Sequence, residues 1–495
     1  MFIFLYFALI LDKTLSMRKS IFVFSLLLLA SFGSNAQRMM GIATSNWSGT
    51  NGMYLNPANI ADSRTKFSID LFSVNFGIDN NNAPLSLSDA FSSTSGNSSV
   101  NSVFKFDNGK QINLMLPYAE MRLPGLMVSI DHKNSFAITF RIRAMNQFNN
   151  FAPGLITTLT DSNLSSNTNY DLVSKNFNWT LHGWAEANVS YARVLYEKDE
   201  HFLKAGLTLR YLAGLGFMSI KGSLDAHYSA ADTAITANHT NIQVASNLLD
   251  NLDNAGNGNT GFDQIGKKGG HGFGADIGVV YEWRPDYDDY IDPTTKLTDH
   301  SANKYKIRAS VAVTDIGAIT YDNVKTSTFS GNGVMSSTDI RNNFSSFNNF
   351  KDYATSRGFT YDTSVGSLKV ALPTTIVAAI DYYIGHHFYL NGTYIGNVVN
   401  RQNVGNSYYD QIILTPRFDT KFYSLGIPVS YSYLTGGIKA GFGMRMGGFF
   451  MGTDDMLAFF SGNQYGVNFY FGAYIPINKK NKSGKKDAEP TPSTK

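Results

Sequence analysis

The chain has no cysteine. That excludes structural disulfides, thiolate zinc sites and a cysteine nucleophile, and it excludes a lipid-modified N-terminal Cys. Charge is also scarce. Asp, Glu, Lys and Arg make up 16% of the 495 residues, against roughly 25% in ordinary soluble domains. The net charge is only +3 and its basic residues are scattered, which excludes a nucleic-acid footprint. Long apolar runs are missing too. After the N-terminus no stretch reaches the ~18 uninterrupted apolar residues of a spanning helix, and the mean hydropathy is slightly negative. A bundle of hydrophobic helices is therefore ruled out. There is no HExxH, no GxSxG and no P-loop, so no catalytic residues, metal ligands or cofactor are assigned, and the chain is read as a non-enzyme.

Aromatics are plentiful, with 36 Phe and 27 Tyr, and so is Gly, with 44. Abundant aromatics, Gly and Asn without net hydrophobicity suit a barrel with an apolar outside and a polar lumen. Residues Met17 to Gln37 (MRKSIFVFSLLLLASFGSNAQ) have the three parts of a secretory signal. Arg18 and Lys19 are the positive end, Ile21 to Ala30 the apolar core, and Ser34 and Ala36 the small residues before a cleavage point. The expectation is a signal peptide over 1–36. Met1 to Ser16 precede a complete signal, and they read as a misassigned start or as an extended charged end.

The rest of the chain alternates with period two over segments of about ten residues. In Ser135–Asn146, Phe136, Ile138, Phe140, Ile142 and Ala144 share one face, and Thr139, Arg141 and Arg143 share the other. An arginine facing lipid at the midplane costs about 2–4 kcal/mol, so the arginines are expected in the lumen. Gly270–Trp283 and Gly466–Ile477 alternate in the same way, and Tyr281 and Trp283 are expected in an aromatic girdle at the periplasmic rim. By strand parity the inward charges are Arg141, Arg143, Lys204, Arg210, Asp276, Glu282, Arg308, Asp381, Lys439 and Arg445, with Asp70 and Glu186. They could bind a polar head group, or pair with one another and hold a plug.

Candidate strands fall near 67–78, 111–131, 135–146, 177–196, 202–228, 270–283, 304–321, 367–384, 387–397, 409–418, 421–434, 436–445, 447–459 and 466–477. About fourteen strands is an even number, and alternate links are long: 79–110, 147–175, 229–269 and 322–366. Short periplasmic turns and long outer loops are the habit of outer-membrane barrels. Both termini are therefore expected in the periplasm. Residues 284–303 would be an unusually long periplasmic turn. The acidic run Asp286, Asp288, Asp289 and Asp292 within it reads as a solvated turn and not a Ca²⁺ loop. His386 and His387 read as a tight turn and not a zinc site. Pro117 and Pro124 should kink or split the second strand, and Pro428 should interrupt a late one. The fold expected is all-β, a transmembrane antiparallel β-barrel over 67–477, with residues 478–495 a disordered periplasmic tail.

GTNGMYLNPANIADS, ahead of the first strand, resembles the N-terminal hatch of FadL-type hydrophobic-compound transporters, in which a short segment plugs a fourteen-stranded barrel. The hatch-like triplet is Asn56, Pro57 and Ala58, and residues 37–66 are expected to plug the lumen. LTLRYLAGLG (207–216), GFGADIGVVYEW (272–283), KIRASVAVTDIGAITY (306–321) and GIKAGFGMRMGGFFMGTDDM (437–456) resemble a Bacteroidota outer-membrane family catalogued only as a domain of unknown function. No ligand-binding residue carries over from that likeness. It brings no activity either; the likeness of the hatch segment to FadL-type transporters, with about fourteen strands, implies passive transport of a small hydrophobic or amphipathic compound. The alternative is a non-transporting scaffold or adaptor in a cell-surface or secretion complex. Expected partners are outer-membrane lipid, such a ligand, and other cell-envelope proteins.

Overall fold

The computed structural model describes residues 39–82, 84, 110–155, 168–247, 269–336, 339, 347–401, 403–459 and 465–480. The expected signal peptide, most of the tail, and the middles of the four long links lie outside them. Among the described residues no helix is long and apolar enough to cross a membrane.

One antiparallel sheet closes on itself. Its first strand, β1 (Thr65–Asn80), pairs along its length with the last, β19 (Gly466–Asn478), and with β2 (Ile112–Ser129) on its other side. The ring continues through β3 (Asn134–Phe151), β5 (Ser174–Lys198) and β6 (His201–Ser229), with the two-residue β4 (Tyr170–Asp171) stacked above β5. β7 (Ala234–Ser246) and β8 (Gly270–Trp283) lie end to end in one seat between β6 and β9 (Ile307–Ser336). β10 (Phe359–Ala371) and β11 (Thr375–Gly385) share the next, followed by β12 (Phe388–Asn397) and β13 (Gln411–Asp419). β14 (Tyr423–Gly426) with β15 (Val429–Ser432), then β16 (Gly437–Ala440) with β17 (Phe442–Met446), share two more, and β18 (Phe449–Thr453) completes the circle. Five seats hold two segments each, so nineteen segments make fourteen strands of barrel.

The outer face is apolar where the alternation predicts it. Ile138, Phe140, Leu209, Ile277, Val279 and Val311 are exposed, while Arg141, Arg143, Arg210 and Asp276 between them are buried. This exposed band marks the lipid-facing height. Above it the strands do not stop. The links 229–269 and 322–366, expected as loops, contain strand among their described residues: β6 runs up to Ser229, β7 comes back from Ala234, β9 climbs to Ser336 and β10 descends from Phe359. Beyond the lipid a strand needs no apolar outer face, so its Thr, Ser and Asn composition conceals it from a rule built on lipid contact. β12 ends at Asn397, opposite Thr375. The wall above that level is therefore taller on the side of β3 to β10.

β2 stays a single strand. Its pairing with β3 shifts register between Met115 and Tyr118 and again between Leu123 and Leu126, around the two prolines that have no N–H to give to the ladder. Pro428 and Gly441 separate the late pairs, so the expected strands 421–434 and 436–445 are each broken, and 447–459 ends at Thr453. His386 and His387 have φ of 49° and 64°. This is the left-handed geometry of a two-residue hairpin turn.

Candidate functional site: the plugged lumen

Residues 39–64 lie inside the ring as three short turns: Met40–Ala43, Gly49–Tyr54 and Pro57–Ile60. Met40, Ile42, Ala58, Ile60 and Ala61 have essentially no exposed surface. Asn56 caps the third turn. Its Oδ1 accepts from Ala58 N at 2.9 Å, and Pro57 occupies the first helical position, where no N–H is missed. Its Nδ2 donates to two wall carbonyls, Val279 O at 3.0 Å and Val311 O at 3.1 Å.

The wall admits this approach through glycine. Gly206 and Gly278 pair across β6 and β8. A Cβ on Gly206 would sit 2.4 Å from Ala58 N, and one on Gly278 would sit 2.2 Å from Asn56 Oδ1. The same device recurs on the far side of the ring, where Gly426 and Gly443 pair across β14 and β17 and receive Gly41. A Cβ on Gly41 would meet Gly443 N at 2.6 Å. Two bare backbone patches therefore seat the two ends of the segment.

The inward charges surround the plug in three groups. Arg122, Arg141, Arg143 and Arg210 face Glu120, Glu186, Asp276 and Asp315, four cations to four anions, all buried. Arg141 lies 2.8 Å from Glu186 and 3.2 Å from both Glu120 and Asp315, Arg143 lies 3.0 Å from Asp315, and Arg210 lies 2.9 Å from Glu186 and bonds Asp276. Tyr54 of the plug lies beneath this deck, with the guanidinium of Arg122 4.0 Å and that of Arg141 4.9 Å from its ring centre. Arg122 also donates to plug residue Asn51 at 2.5 Å.

The second group holds the first turn of the plug. Asp381 pairs with Arg417 at 2.6 Å and Arg308 at 2.9 Å, and Arg308 donates on to Asn46 Oδ1 and Thr44 O. Asp419 accepts from Ser45 Oγ at 2.8 Å and Asn46 N at 2.7 Å, with Arg445 3.8 Å away. Arg445 itself donates mainly to the carbonyls of Thr420, Lys421 and Gly447.

The third group closes the end of the lumen where β1 begins and β19 ends. Asp62 pairs with Arg64 at 2.7 Å and Arg284 at 2.9 Å, Arg284 also bonds Glu282, and Lys204 donates to Ala61 O at 2.9 Å. Burial raises the Asp62 carboxyl, but Arg64, Lys304 and Arg284 outweigh it and hold it well below the usual carboxylate range. Burial pushes the neighbouring Lys304 down to about 8, with Asp62 opposing. The long turn 284–306 has a task here, since Arg64 donates to its His300 and Ala302 carbonyls. A polar cavity of about 30 Å³ between plug and wall is lined by Asn46, Asp62, Arg64, Lys204, Glu282 and Arg308 among others, room for little beyond water.

Lys439 stands apart from these groups and pairs with Asp79 at 2.8 Å. Asp70 accepts from Thr50 of the plug at 2.7 Å. Sequence parity missed Asp315, which has φ 59° at a register shift opposite Asp276, and Glu120 with Arg122, which lie between the two proline bulges. Arg417 and Asp419 alternate regularly along β13 and were open to the same parity reasoning. Asp62, Arg64, Arg284 and Lys304 lie in no strand and carry no periodic signal.

On the other side of the deck lies an apolar cluster. Met115, Met145, Trp184, Leu212, Phe217, Ile319 and Tyr321 form one buried cluster with Tyr408 and Tyr409. The last two belong to the β12–β13 link, which turns into the lumen. Trp184 Nε1 donates to Glu186 and Tyr118 OH to Glu120, so the cluster rests directly on the deck.

These features define a fourteen-stranded transmembrane β-barrel with an N-terminal plug and an ion-paired, aromatic-lined lumen. Residues 57–454 match the model of a family of unknown function (DUF5723), and the chain belongs to that family. Among solved structures it is similar to the deltaS2S3 mutant of the monoaromatic hydrocarbon channel TodX, at 9% identity over 89% of this chain and 97% of that one, TM-score 0.42. It is similar to the toluene transporter TbuX of Ralstonia pickettii, at 11% identity over 91% and 99%, TM-score 0.39. A FadL homologue of Pseudomonas aeruginosa gives 10% over 91% and 100%, TM-score 0.32. No curated protein matches the chain.

Proposed function

We propose that this chain is an outer-membrane protein, with both termini in the periplasm, that passes a small hydrophobic or amphipathic compound across the membrane without an energy source of its own. The observation that carries the reading is the apolar, aromatic cluster around Trp184, Phe217 and Tyr321, set inside the barrel above a plug. A lumen needed only as a strut could be filled by polar pairs throughout. Here the ion pairs gather mainly at the plug and its deck, with Lys439–Asp79 apart from them. The inward charges serve as the lock of the plug and not as the ligand site, since each deck carboxylate already faces a guanidinium. Passage then requires the plug to shift.

The test is uptake of small hydrophobic compounds by a deletion strain and by vesicles containing the purified barrel. Slower uptake in the deletion strain, restored by the gene and reproduced in vesicles, is expected. Unchanged uptake together with vesicles that stay sealed overturns transport. The scaffold reading would then take its place, to be pursued by crosslinking in the intact envelope.

A further inference from the structure

The link between β12 and β13 does not project outward. Asn406, Ser407, Tyr408 and Tyr409 are buried within the barrel, and they are held from across the lumen by β3 and β5. Gln147 treats the Ser407 peptide as a strand neighbour would: its Nε2 donates to Ser407 O at 3.0 Å and its Oε1 accepts from Ser407 N at 2.8 Å. Asn178 donates to the carbonyls of Arg401 and Asn403, at 2.9 and 3.2 Å. Those two carbonyls belong to the turn closed by Asn403 N donating to Asn400 O at 3.0 Å. Arg143 donates to the Tyr408 phenol, whose ring lies 6.3 Å from that of Tyr118.

Gln147 and Asn178 are not needed for the barrel's backbone ladder, and Arg143 reaches the link with a donor beyond its deck partners. β3 and β5 pair through backbone without interruption from Asn134↔Arg193 to Asn149↔Asn178. Arg143, Gln147 and Asn178 are all but fully buried, and each spends donors on the link. The wall is thus a polar reading surface for a peptide group with an aromatic side chain beside it, set among apolar side chains.

We infer that this wall is a ligand site, that the β12–β13 link occupies it in the closed state, and that its ligand is an amphipathic aromatic compound bearing a peptide-like amide. This rests on the transport reading of the lumen and narrows it. A pure hydrocarbon that displaced the link would strip Gln147 and Asn178 of their link partners and would take the Tyr408 phenol from Arg143, which keeps Asp315 and Glu186, and buried polar groups without partners are strongly unfavourable. An aromatic amide offers carbonyl, N–H and, with a phenol, hydroxyl partners in their place.

The probe is N-acetyl-tyrosinamide, with toluene as the comparison, titrated calorimetrically into the purified full-length barrel. Tyr408→Ala weakens the link and should bind the amide about tenfold more tightly than the natural chain. Adding Gln147→Ala, which removes both of its bonds to the amide, should remove at least that factor again. Should Tyr408→Ala fail to fold, hydrogen exchange of the natural chain serves in its place. Saturating amide should speed exchange in residues 403–409, and toluene should not. Toluene acting as well as the amide, or neither acting, overturns the inference. Uptake of hydrocarbon without any response to the amide defeats this inference alone. Amide binding without any uptake defeats the transport reading alone.

Discussion

Replacing Gly206 by valine tests whether the plug is seated by bare backbone. The new Cβ would stand 2.4 Å from Ala58 N and from Pro57 C, where ordinary contact begins near 3.4 Å. Both neighbours are backbone and cannot rotate aside, so the plug has to withdraw by about 1 Å. Overpacking of this kind costs about 1–3 kcal/mol. Withdrawal also breaks the two bonds from Asn56 to Val279 O and Val311 O, each worth about 1 kcal/mol. A loss of about 3 kcal/mol raises the undocked fraction on the order of a hundredfold. The wall should tolerate the change, because Gly206 keeps its ladder partners Ala192 and Gly278 and valine suits a strand. The chain has no native cysteine, so Ala61→Cys supplies a single thiol, buried while the plug is seated. Its maleimide labelling rate should rise on the order of a hundredfold with Gly206→Val. It should not change with Gly366→Val, whose Cβ meets nothing within 4 Å. An unchanged rate in a barrel that still migrates as folded on a gel would refute the seating argument.

Glu186→Gln leaves Arg141, Arg143 and Arg210 sharing one acceptor fewer in a buried layer, and should cost about 3–5 kcal/mol in urea unfolding from lipid vesicles; a loss below about 1 kcal/mol would mean the deck is wet. Because the Asp62 carboxyl is held below its unfolded value, its contribution is complete above pH ~4 and is lost only as pH falls through the depressed folded value. Labelling or hydrogen exchange at the Asp62–Arg64 end of the plug should therefore stay flat from neutral pH down to about 4 and rise only below that, and Asp62→Asn should already release the base at neutral pH. Leu209→Arg, on the outer face of the apolar band, should cost about 2–4 kcal/mol of folding into bilayers. Val365→Arg, equally exposed but on β10 above the band, should cost almost nothing, and equal penalties would misplace the membrane.

The barrel was legible because lipid imposes a local rule. Every residue of β3 from Phe136 to Arg143 alternates by solvent, and the inward arginines announce the lumen. The rule fails where its cause does. β7 and the upper part of β10 lie beyond lipid and look like loops in sequence. The two register shifts in β2 each displace the parity, which hid Glu120 and Arg122. The site divides in the same way. Arg141, Arg210 and Asp276 follow from strand parity, but their company does not, because Asp315 comes from a distant bulge and Asp62 from the plug. The inward course of Ser407 and Tyr408 had no periodic trace, since a loop's destination is decided by partners such as Gln147 that lie more than two hundred residues away.

The plug precedes β1 in the chain, yet it binds β6 and β8 on one side and β14 and β17 on the other, while the ring is sealed only when β1 meets β19. A segment in that position has two ways in: to be threaded through a finished ring, or to be present while the sheet is still open. Bridging two distant glycine patches, it would draw a flat sheet into an arc of the correct radius, and its anchoring would shorten the long search by which first and last strands find each other. The hatch is then also a mandrel. A variant that cannot seat it would betray itself first as a slow or misregistered closure of the β1–β19 seam.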